Sequence, residues 1–248
     1  MATTSPATSL NTLQFQTSAH KPSIIFHGRQ KNSIFNKTNF SFNPILNSNS
    51  DASSLKWRTK VSFFQEFFTR RDEQDVKRLK DELFESIAPL ERGANANQQD
   101  QDYVDQVASK LEAVNEVKEP LKSNLLNGKW ELLYTTSQSL LQTNRPKFLR
   151  PNGKIYQAIN LDTLRAQNIE TWPFFNQATA NLVPLSTSKV AVKFDYFKIF
   201  GLIRIKNPGS GRGQIEITFL DEELRITRGN RGNLFILRMV DPSYRVPL

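Results

Sequence analysis

Side chains able to carry acid–base, nucleophilic or metal chemistry are scarce in this 248-residue chain. It has no cysteine, which excludes disulfides, thiolate nucleophiles and cysteine-ligated zinc or iron–sulfur sites. Its two histidines, His20 and His27, both lie near the N terminus. If that segment is removed from the mature protein, Ser-His-Asp catalysis, imidazole acid–base steps and histidine-ligated metals are excluded as well. The composition therefore indicates a protein that is not an enzyme and that uses no cofactor or metal.

Two short motifs resemble chemical sites but have a simpler interpretation. The stretch GSGRG, from Gly209 to Gly213, is similar to a phosphate-binding loop, but such a loop leads into a helix and here a strand follows. We therefore expect a hairpin turn. The cluster Asp221-Glu222-Glu223 could form a general acid–base or metal site, but adjacent strand residues point to opposite faces and no histidine is near. We expect a solvated turn there.

The first 55 residues have the composition of an organelle transit peptide. They are rich in Ser, Thr and Asn, contain no acidic residue before Asp51, and lack the single apolar run of a secretory signal. The absence of an Arg-rich amphipathic helix favours a plastid over a mitochondrion; the alternative is a disordered tail that is retained. Residues 1–58 hold six basic residues and one acidic residue, so more than half of the net charge of +9 lies there. Nucleic acid is therefore not expected as a partner, despite a pI of about 9.7.

Residues 60–120 are predicted to form a helical segment. It begins with four aromatic residues at helical spacing, Phe63, Phe64, Phe67 and Phe68. This face either contacts a lipid surface or packs across the end of a larger body. Apolar spacing predicts one helix with Asp72 as its N-cap that stops at Pro89. A second is predicted from Asp102 to Lys118, with an apolar face formed by Tyr103, Val107, Leu111 and Val114.

Residues 121–248 are predicted to form a β domain, because the apolar period changes from 3.6 to 2. About eight strands are expected, around residues 130–135, 155–159, 165–172, 176–185, 190–197, 214–219, 224–228 and 234–240. Short strands joined mostly by hairpin turns are typical of an antiparallel barrel or sandwich. A closed sheet of about eight strands leaves room for one small ligand. No run of about 18 apolar residues is present, so no transmembrane helix is expected.

The clearest alternation identifies the side chains expected to point into such a barrel. These are Val190, Val192, Phe194, Tyr196, Ile215, Ile217 and Phe219. They either line a ligand cavity or fill a closed core.

Successive side chains of a strand point to opposite faces, so Arg228 is expected on the same face as Leu224 and Ile226, and Arg225 on the opposite face. An inward guanidinium needs a partner, and the ring of Trp130 across the barrel is one that adds no second buried charge. The alternative is that Arg228 reaches out to solvent at the rim of the barrel.

Three blocks in this order resemble the plastid-lipid-associated protein, or fibrillin, family over roughly residues 75–248. They are LFESIAPLERGANANQQDQDYVDQVASKLEAVN, PLKSNLLNGKWELLYTTS and GRGQIEITFLDEELRITRGNRGNLFILRM. The family's Gly-x-Trp motif matches Gly128 and Trp130, in a strand that continues to Tyr134. Its acidic and Leu-Arg-x-x-Arg-Gly block matches Asp221, Leu224, Arg225, Arg228 and Gly229. The segment RPKFLRPNGKIYQAINLDTLRAQNIETWPFFNQ and the ending DPSYRVPL are most similar to the fibrillin-4 subgroup, described as harpin-binding.

The resemblance implies a mainly β, α+β protein, in which two or three N-terminal helices precede a lipocalin-like antiparallel barrel. It implies a plastid protein at plastoglobules and thylakoids that binds or carries a prenyl-lipid such as plastoquinone, a tocopherol or a carotenoid, in support of photoprotection and stress tolerance. Two other functions remain open: a structural coat on plastoglobules, and a scaffold for a prenyl-lipid biosynthetic enzyme or another plastoglobule protein. The subgroup also implies bacterial harpin as a partner, which the residue pattern does not predict.

Overall fold

The computed structural model describes the backbone of residues 61–206 and 212–247, and the side chains of residues 73–206 and 213–247. All nine strands and the second helix lie in one compact unit that begins at Asp72. The predicted transit peptide, residues 1–55, lies outside the described residues, and so does most of the glycine-rich motif at 209–213. None of the described helices is long and apolar enough to cross a membrane.

Helix α1 covers Val61–Ile87 and helix α2 covers Gln98–Ala113, followed later by the short α3, Gln138–Leu141. Asp72 lies inside α1, so its predicted role as an N-cap was wrong. Helix α2 begins earlier than expected because Asn97 and Asp100 form a reciprocal capping box with 3.0 Å hydrogen bonds in both directions. The buried face of α2 is formed by Val104, Val107, Ala108 and Leu111, whereas Tyr103 and Val114 are exposed.

Eight antiparallel strands form a closed barrel, which confirms the predicted fold class. The described residues form nine strands, all of which except β6 belong to the barrel: β1 Gly128–Thr135, β2 Ile155–Asn160, β3 Arg165–Glu170, β4 Gln177–Pro184, β5 Lys189–Ile199, β6 Ile203–Lys206, β7 Arg212–Leu220, β8 Leu224–Gly229 and β9 Leu234–Asp241. The sheet order is β4-β3-β2-β1-β9-β8-β7-β5, and a further pairing of β4 with β5 closes it. The sequence did not predict β6, which pairs only with the second half of β5 and extends the wall beyond β7.

The protein has two principal apolar cores, one on each side of the sheet. Inside the barrel, Trp130, Leu132, Ile217 and Leu237 pack with the residues that close one end. Outside it, a second core joins α1 and α2 to one sector of the barrel wall, whose residues are Tyr134, Phe219, Leu224, Ile226, Leu234 and Ile236. Strand β8 is therefore buried on both faces.

Besides a register shift at Val240 in β9, three β-bulges reverse the inward–outward alternation within single strands. The register places one extra residue in each strand: Leu133 in β1, Asp195 in β5 and Thr218 in β7. An extra residue moves the following side chains to the other face of the sheet. Each bulge lies just before an aromatic residue, so Tyr134, Tyr196 and Phe219 point away from the interior that strict alternation predicts for them.

Candidate functional site

The barrel encloses an apolar cavity that is plugged at one end and reaches the connecting loops at the other. The plugged end, which we call the floor, is closed by the segment before β1, from which Leu121 and Leu126 line the cavity. At the opposite end, which we call the mouth, Gln142, Pro151 and Asn176 line it from the connecting loops. The space unfilled by protein atoms is about 1180 Å³, including open solvent, and about 80 Å³ of it admits the centre of a water molecule. Such a narrow interior suits a slender chain better than a bulky globular ligand.

Five of the seven predicted inward residues line this cavity: Val190, Val192, Phe194, Ile215 and Ile217. The other two do not. Tyr196 follows the Asp195 bulge and lies under the Arg204 guanidinium, 4.0 Å from its ring centroid. Phe219 follows the Thr218 bulge and packs in the outer core with the helices.

Small side chains on β3 and β4 create much of the space, and the inward set predicted from the sequence did not include them. Ala166, Ala178 and Ala180 line the cavity beside the larger residues of β5, the strand that pairs with β4. Alternate alanines at positions 178 and 180 were the sequence signal that could have identified this wall.

Trp130 lies at the floor, and its cationic partner is Arg225 rather than the predicted Arg228. The Arg225 guanidinium lies 4.9 Å from the centroid of the Trp130 ring, and both side chains are fully buried. The Trp130 Nε1 donates a 3.1 Å hydrogen bond to the Leu126 carbonyl, which fixes the plug to the ring. The placement of Arg228 over Trp130 was wrong, because Leu224 and Ile226 face the helices and not the barrel interior.

Arg228 instead links the outside of the barrel to α2. Its Nε and Nη2 donate hydrogen bonds to the two carboxylate oxygens of Glu112, at 2.7 and 2.9 Å, and its Nη1 lies 2.7 Å from Asp105. These hydrogen bonds and charges raise the pKa of Arg228. Thr218 donates a 2.6 Å bond to the same Glu112, so one acidic residue of the helix contacts two strands.

The other motif residues shape turns and strand ends. Gly128 has a φ of +120°, and a Cβ on it would lie 2.7 Å from the Asp241 carbonyl oxygen. The close approach of the start of β1 to the end of β9 therefore requires glycine. Asp221 accepts hydrogen bonds from the Glu223 and Leu224 amides at 2.8 and 2.6 Å, and it pairs with Lys80 of α1. The acidic cluster is therefore a turn, as expected, although Lys80 also holds it to the helix. Gly229 ends β8.

Arg225 is a buried cation without a carboxylate partner in the described part of the chain. Its Nη2 donates a 2.6 Å hydrogen bond to the Gln157 side chain, while its Nε and Nη1 have no acceptor among the described residues. Burial lowers the pKa of the guanidinium, but an arginine stays charged in proteins. The interior therefore holds a positive charge whose desolvation is only partly offset.

A small polar patch connects this charge to the cavity. The Gln157 Nε2 donates a 3.2 Å hydrogen bond to the Asn168 Oδ1, and both residues line the cavity. The Thr227 hydroxyl, on a third strand, also lines it and has no partner within the described residues. Gln157, Asn168 and Thr227 can offer hydrogen bonds to one polar group in an otherwise apolar interior.

Glu170 is the only carboxylate among the residues that line the cavity in the described structure. It is buried near the mouth and accepts a 2.8 Å hydrogen bond from the Asn176 side chain. Burial raises the pKa of Glu170, whereas the hydrogen bond from Asn176 and the positive charges of Arg145 and Arg92 act to lower it. The described lining contains no histidine, lysine or arginine, and no described cluster of acidic residues could hold a metal ion.

The predicted lipid-contact residues Phe63, Phe64, Phe67 and Phe68 lie within α1. Their side chains are outside the described set, so this role stays a prediction.

These features define a helix-covered, closed eight-stranded β-barrel with an apolar interior, which is a lipocalin-like architecture. The chain belongs to the PAP/fibrillin family: the PAP_fibrillin model matches residues 77–203 and 202–238. No solved structure matches it.

Several curated plant proteins are similar to this chain. It is 58% identical over 173 residues to probable plastid-lipid-associated protein 5, chloroplastic, of Arabidopsis thaliana, covering 69% of this chain and 74% of that protein. Identity to plastid-lipid-associated protein 6, chloroplastic, of the same species is 29%, covering 66% and 70% of the two chains. Identity to plastoglobulin-1, chloroplastic, of Pisum sativum is 26%, covering 66% and 62%. The family is thus confirmed, while the fibrillin-4 subgroup and its harpin partner stay predictions.

Proposed function

We propose that this protein binds a small hydrophobic molecule inside its barrel, without catalysis, at the lipid surfaces of a plastid. The observation that carries the proposal is an apolar cavity that runs inside the barrel from the plugged floor to the loops of the mouth. The names of its relatives, plastid-lipid-associated proteins and a plastoglobulin, support plastoglobules as its location; the thylakoid surface is part of the proposal.

A prenyl-lipid such as plastoquinone, a tocopherol or a carotenoid fits the chemistry of this interior. Its isoprenoid chain is slender and apolar, and burying it is worth about 25 cal/mol per Å² of apolar area. A quinone or chromanol oxygen can form a hydrogen bond with Thr227 or Gln157. The dipole of that ligand group would then lie near the incompletely paired Arg225. A hydrocarbon carotenoid lacks such an oxygen, so this patch favours the quinones and tocopherols.

Filling the cavity tests this proposal directly. The substitution Ala180→Leu adds a branched side chain to the cavity wall, while Ala191→Leu adds the same side chain to a position on β5 that does not line the cavity. A short-chain plastoquinone analogue added to the protein should quench its tryptophan fluorescence in a saturable manner. We expect about tenfold weaker binding for Ala180→Leu and unchanged binding for Ala191→Leu. Equal binding by both variants would place the ligand elsewhere.

The native ligand can be identified by extracting lipids from protein that has been isolated from plastids. Protein purified from plastids and extracted for mass spectrometry should release a prenyl-lipid in a fixed ratio to the chain. If it carries no lipid and takes up no quinone, the cavity is a closed core and the proposal fails. An enzyme that co-purifies with the chain would instead favour the scaffold function.

The coat function makes a different prediction about helix α1. Deleting residues 61–70 should abolish association with lipid droplets if the protein is a coat anchored by its phenylalanines. Uptake of quinone in solution should survive that deletion, because the compact unit that contains the barrel begins at Asp72.

A further inference from the structure

The mouth of the barrel carries an unusual number of exposed apolar side chains. Leu202 is 83% exposed, Phe148 73% and Trp172 62%. Five further apolar residues in the same loops are also exposed: Leu149, Phe175, Phe200, Ile203 and Ile205. We call these eight residues the mouth patch. Contiguous apolar surface of this kind marks a site of interaction rather than ordinary solvent exposure.

The loops that carry the mouth patch contact one another. The Gly153 amide donates a 2.8 Å hydrogen bond to the Trp172 carbonyl, which joins the loop before β2 to the loop after β3. Phe174 and Phe200 form an edge-to-face ring contact with centroids 6.2 Å apart. The Phe200 amide also donates to the Asn176 side chain, at 3.3 Å. The loop before β2, the loop after β3 and the β5–β6 hairpin are therefore joined at this end of the barrel.

Charge is distributed unequally between the two ends of the barrel. The mouth connections, residues 136–154, 171–176, 198–211 and 230–233, contain eight Lys or Arg residues and no Asp or Glu. The floor connections, residues 114–127, 161–164, 185–188 and 221–223, contain six acidic and two basic residues. One end of the molecule thus has a strongly positive field and the other a negative one.

Several mouth cations are available to an external partner. Lys147, Lys198 and Lys206 are exposed and form no ion pair in the part of the chain that the structure describes. Lys154 is occupied by Glu131 at 3.1 Å, and the Arg150 guanidinium is held by backbone carbonyls of its own loop. These three lysines lie in the same connections as much of the mouth patch, residues 136–154 and 198–211, which contain no Asp or Glu.

From this arrangement we propose that the mouth docks on an anionic lipid surface, so that the cavity opens directly into the lipid. Aromatic and aliphatic tips enter the boundary between headgroups and acyl chains, while the lysines contact anionic headgroups. The negative floor keeps the opposite end away from the same surface. A ligand then passes between lipid and cavity without crossing water. Docking is a separate claim from ligand binding, since the patch binds lipid whether or not the cavity is occupied.

Vesicle flotation with the full chain tests the docking face. Vesicles of phosphatidylcholine mixed with phosphatidylglycerol provide the anionic surface, and pure phosphatidylcholine vesicles provide the neutral one. The double variant Phe200→Ser/Leu202→Ser should bind anionic vesicles at least about tenfold more weakly than the parent. The variant Lys198→Gln/Lys206→Gln should lose about fivefold per lysine, and only on anionic vesicles.

Matched variants at the floor control for general effects on solubility and charge. Leu185→Ser removes an exposed leucine from the β4–β5 turn, and Lys118→Gln/Lys122→Gln removes two floor lysines. Both should float like the parent. Unchanged thermal unfolding of every variant establishes that the barrel is intact. The proposal is overturned if mouth and floor variants lose binding equally, or if binding does not depend on anionic lipid.

Trp172 gives a second readout that does not depend on affinity. It is exposed at the mouth, whereas Trp130 is fully buried, so in a Trp57→Phe background a lipid-induced change in emission reports Trp172. Docking predicts a blue shift and quenching by lipids brominated on the acyl chains. Vesicle binding without that quenching would assign the contact to another face, such as the phenylalanines of α1. Quinone uptake by the mouth variants in solution should match the parent, so failure of docking and failure of ligand binding can be told apart.

Discussion

Arg225 lies over the indole ring of Trp130, with its guanidinium carbon 4.9 Å from the ring centroid and both side chains inaccessible to solvent. The ring face offers a negative quadrupole to a cation that has no carboxylate partner among the described residues. Trp130 in turn holds the plug of the barrel through the Leu126 carbonyl. The pair therefore couples the closure of the floor to the electrostatics of the interior.

Replacing Trp130 with Ala should destabilise the fold before it alters ligand selectivity. Loss of a buried Trp side chain costs about 3–5 kcal/mol in the free energy of unfolding, and Arg225 would also lose its ring partner. Urea denaturation measures the loss, and Trp130→Phe, which keeps a ring, serves as the control. A fully stable Trp130→Ala variant with shifted ligand preference would show that the ring belongs to the binding surface rather than to the floor.

Replacing Arg225 with Met should leave stability nearly unchanged. The cation–π contact and the hydrogen bond to Gln157 are worth about 2 and 1.5–3 kcal/mol, and the desolvation of a buried charge offsets them by several kcal/mol. We expect a change in the free energy of unfolding within about 2 kcal/mol. A loss beyond about 4 kcal/mol, measured by the same denaturation, would mean that Arg225 has a partner that this balance omits.

The contact between Arg228 and Glu112 should account for part of the attachment of α2. The bidentate pair is mostly shielded, with side chains 28% and 17% exposed. A double-mutant cycle with Arg228→Met and Glu112→Gln should give a coupling free energy of about 1–3 kcal/mol. The exposed i,i+3 pair Arg78–Asp75 is the reference, with an expected coupling below about 0.5 kcal/mol. Equal coupling in the two cycles would contradict a specific role for Arg228.

Removing the hydroxyl of Tyr134 should stabilise the protein. The side chain is buried against the helices, its hydroxyl has no partner in the described residues, and burial raises its pKa to about 12. Tyr134→Phe removes that unsatisfied donor and keeps the ring, so the free energy of unfolding should rise by up to about 1 kcal/mol. A loss of stability in thermal or urea unfolding would indicate a buried water bound to the hydroxyl.

Glu170 should make the stability of the barrel depend on pH. Burial raises its folded-state pKa above the ordinary value of 4.5, so the neutral carboxyl is favoured in the folded protein. The stability that the neutral Glu170 carboxyl adds to the folded protein is therefore fully present below the unfolded-state pKa. It is lost as pH rises through the folded-state pKa. Relative to Glu170→Gln, the parent should lose about 1.4 kcal/mol for each unit by which the pKa is raised.

Urea denaturation of both proteins from below pH 4 to pH 8 measures this difference. The two curves should separate as pH rises above about 4.5 and then run parallel. Separation on acidification instead would mean that the charged form of Glu170 is the one that the fold stabilises.

Local patterns in the sequence were sufficient for most of the architecture. Period-2 alternation located eight strands, and Pro and Gly located the end of α1. The Gly128–Trp130 motif identified the strand that begins at the floor. These features follow from short-range stereochemistry: turns need particular residues, and a half-buried strand alternates. Strand β6 was missed because it is only four residues long: Ile203–Lys206 does alternate apolar and charged residues, but the run is very short, and all four residues are exposed.

The tertiary structure alone decided which face of each strand is the inside. Strand β8 has the barrel cavity on one side and two helices on the other, so hydrophobicity could not distinguish Arg225 from Arg228. Bulges at Leu133, Asp195 and Thr218 moved the side chains that follow them to the other face of the sheet. The amino-acid composition does not reveal such an extra residue. The sequence by itself determined an antiparallel barrel or sandwich with an apolar set of side chains. Sheet closure and helix packing determined which of those side chains surround a cavity, since both depend on contacts between residues far apart in the chain.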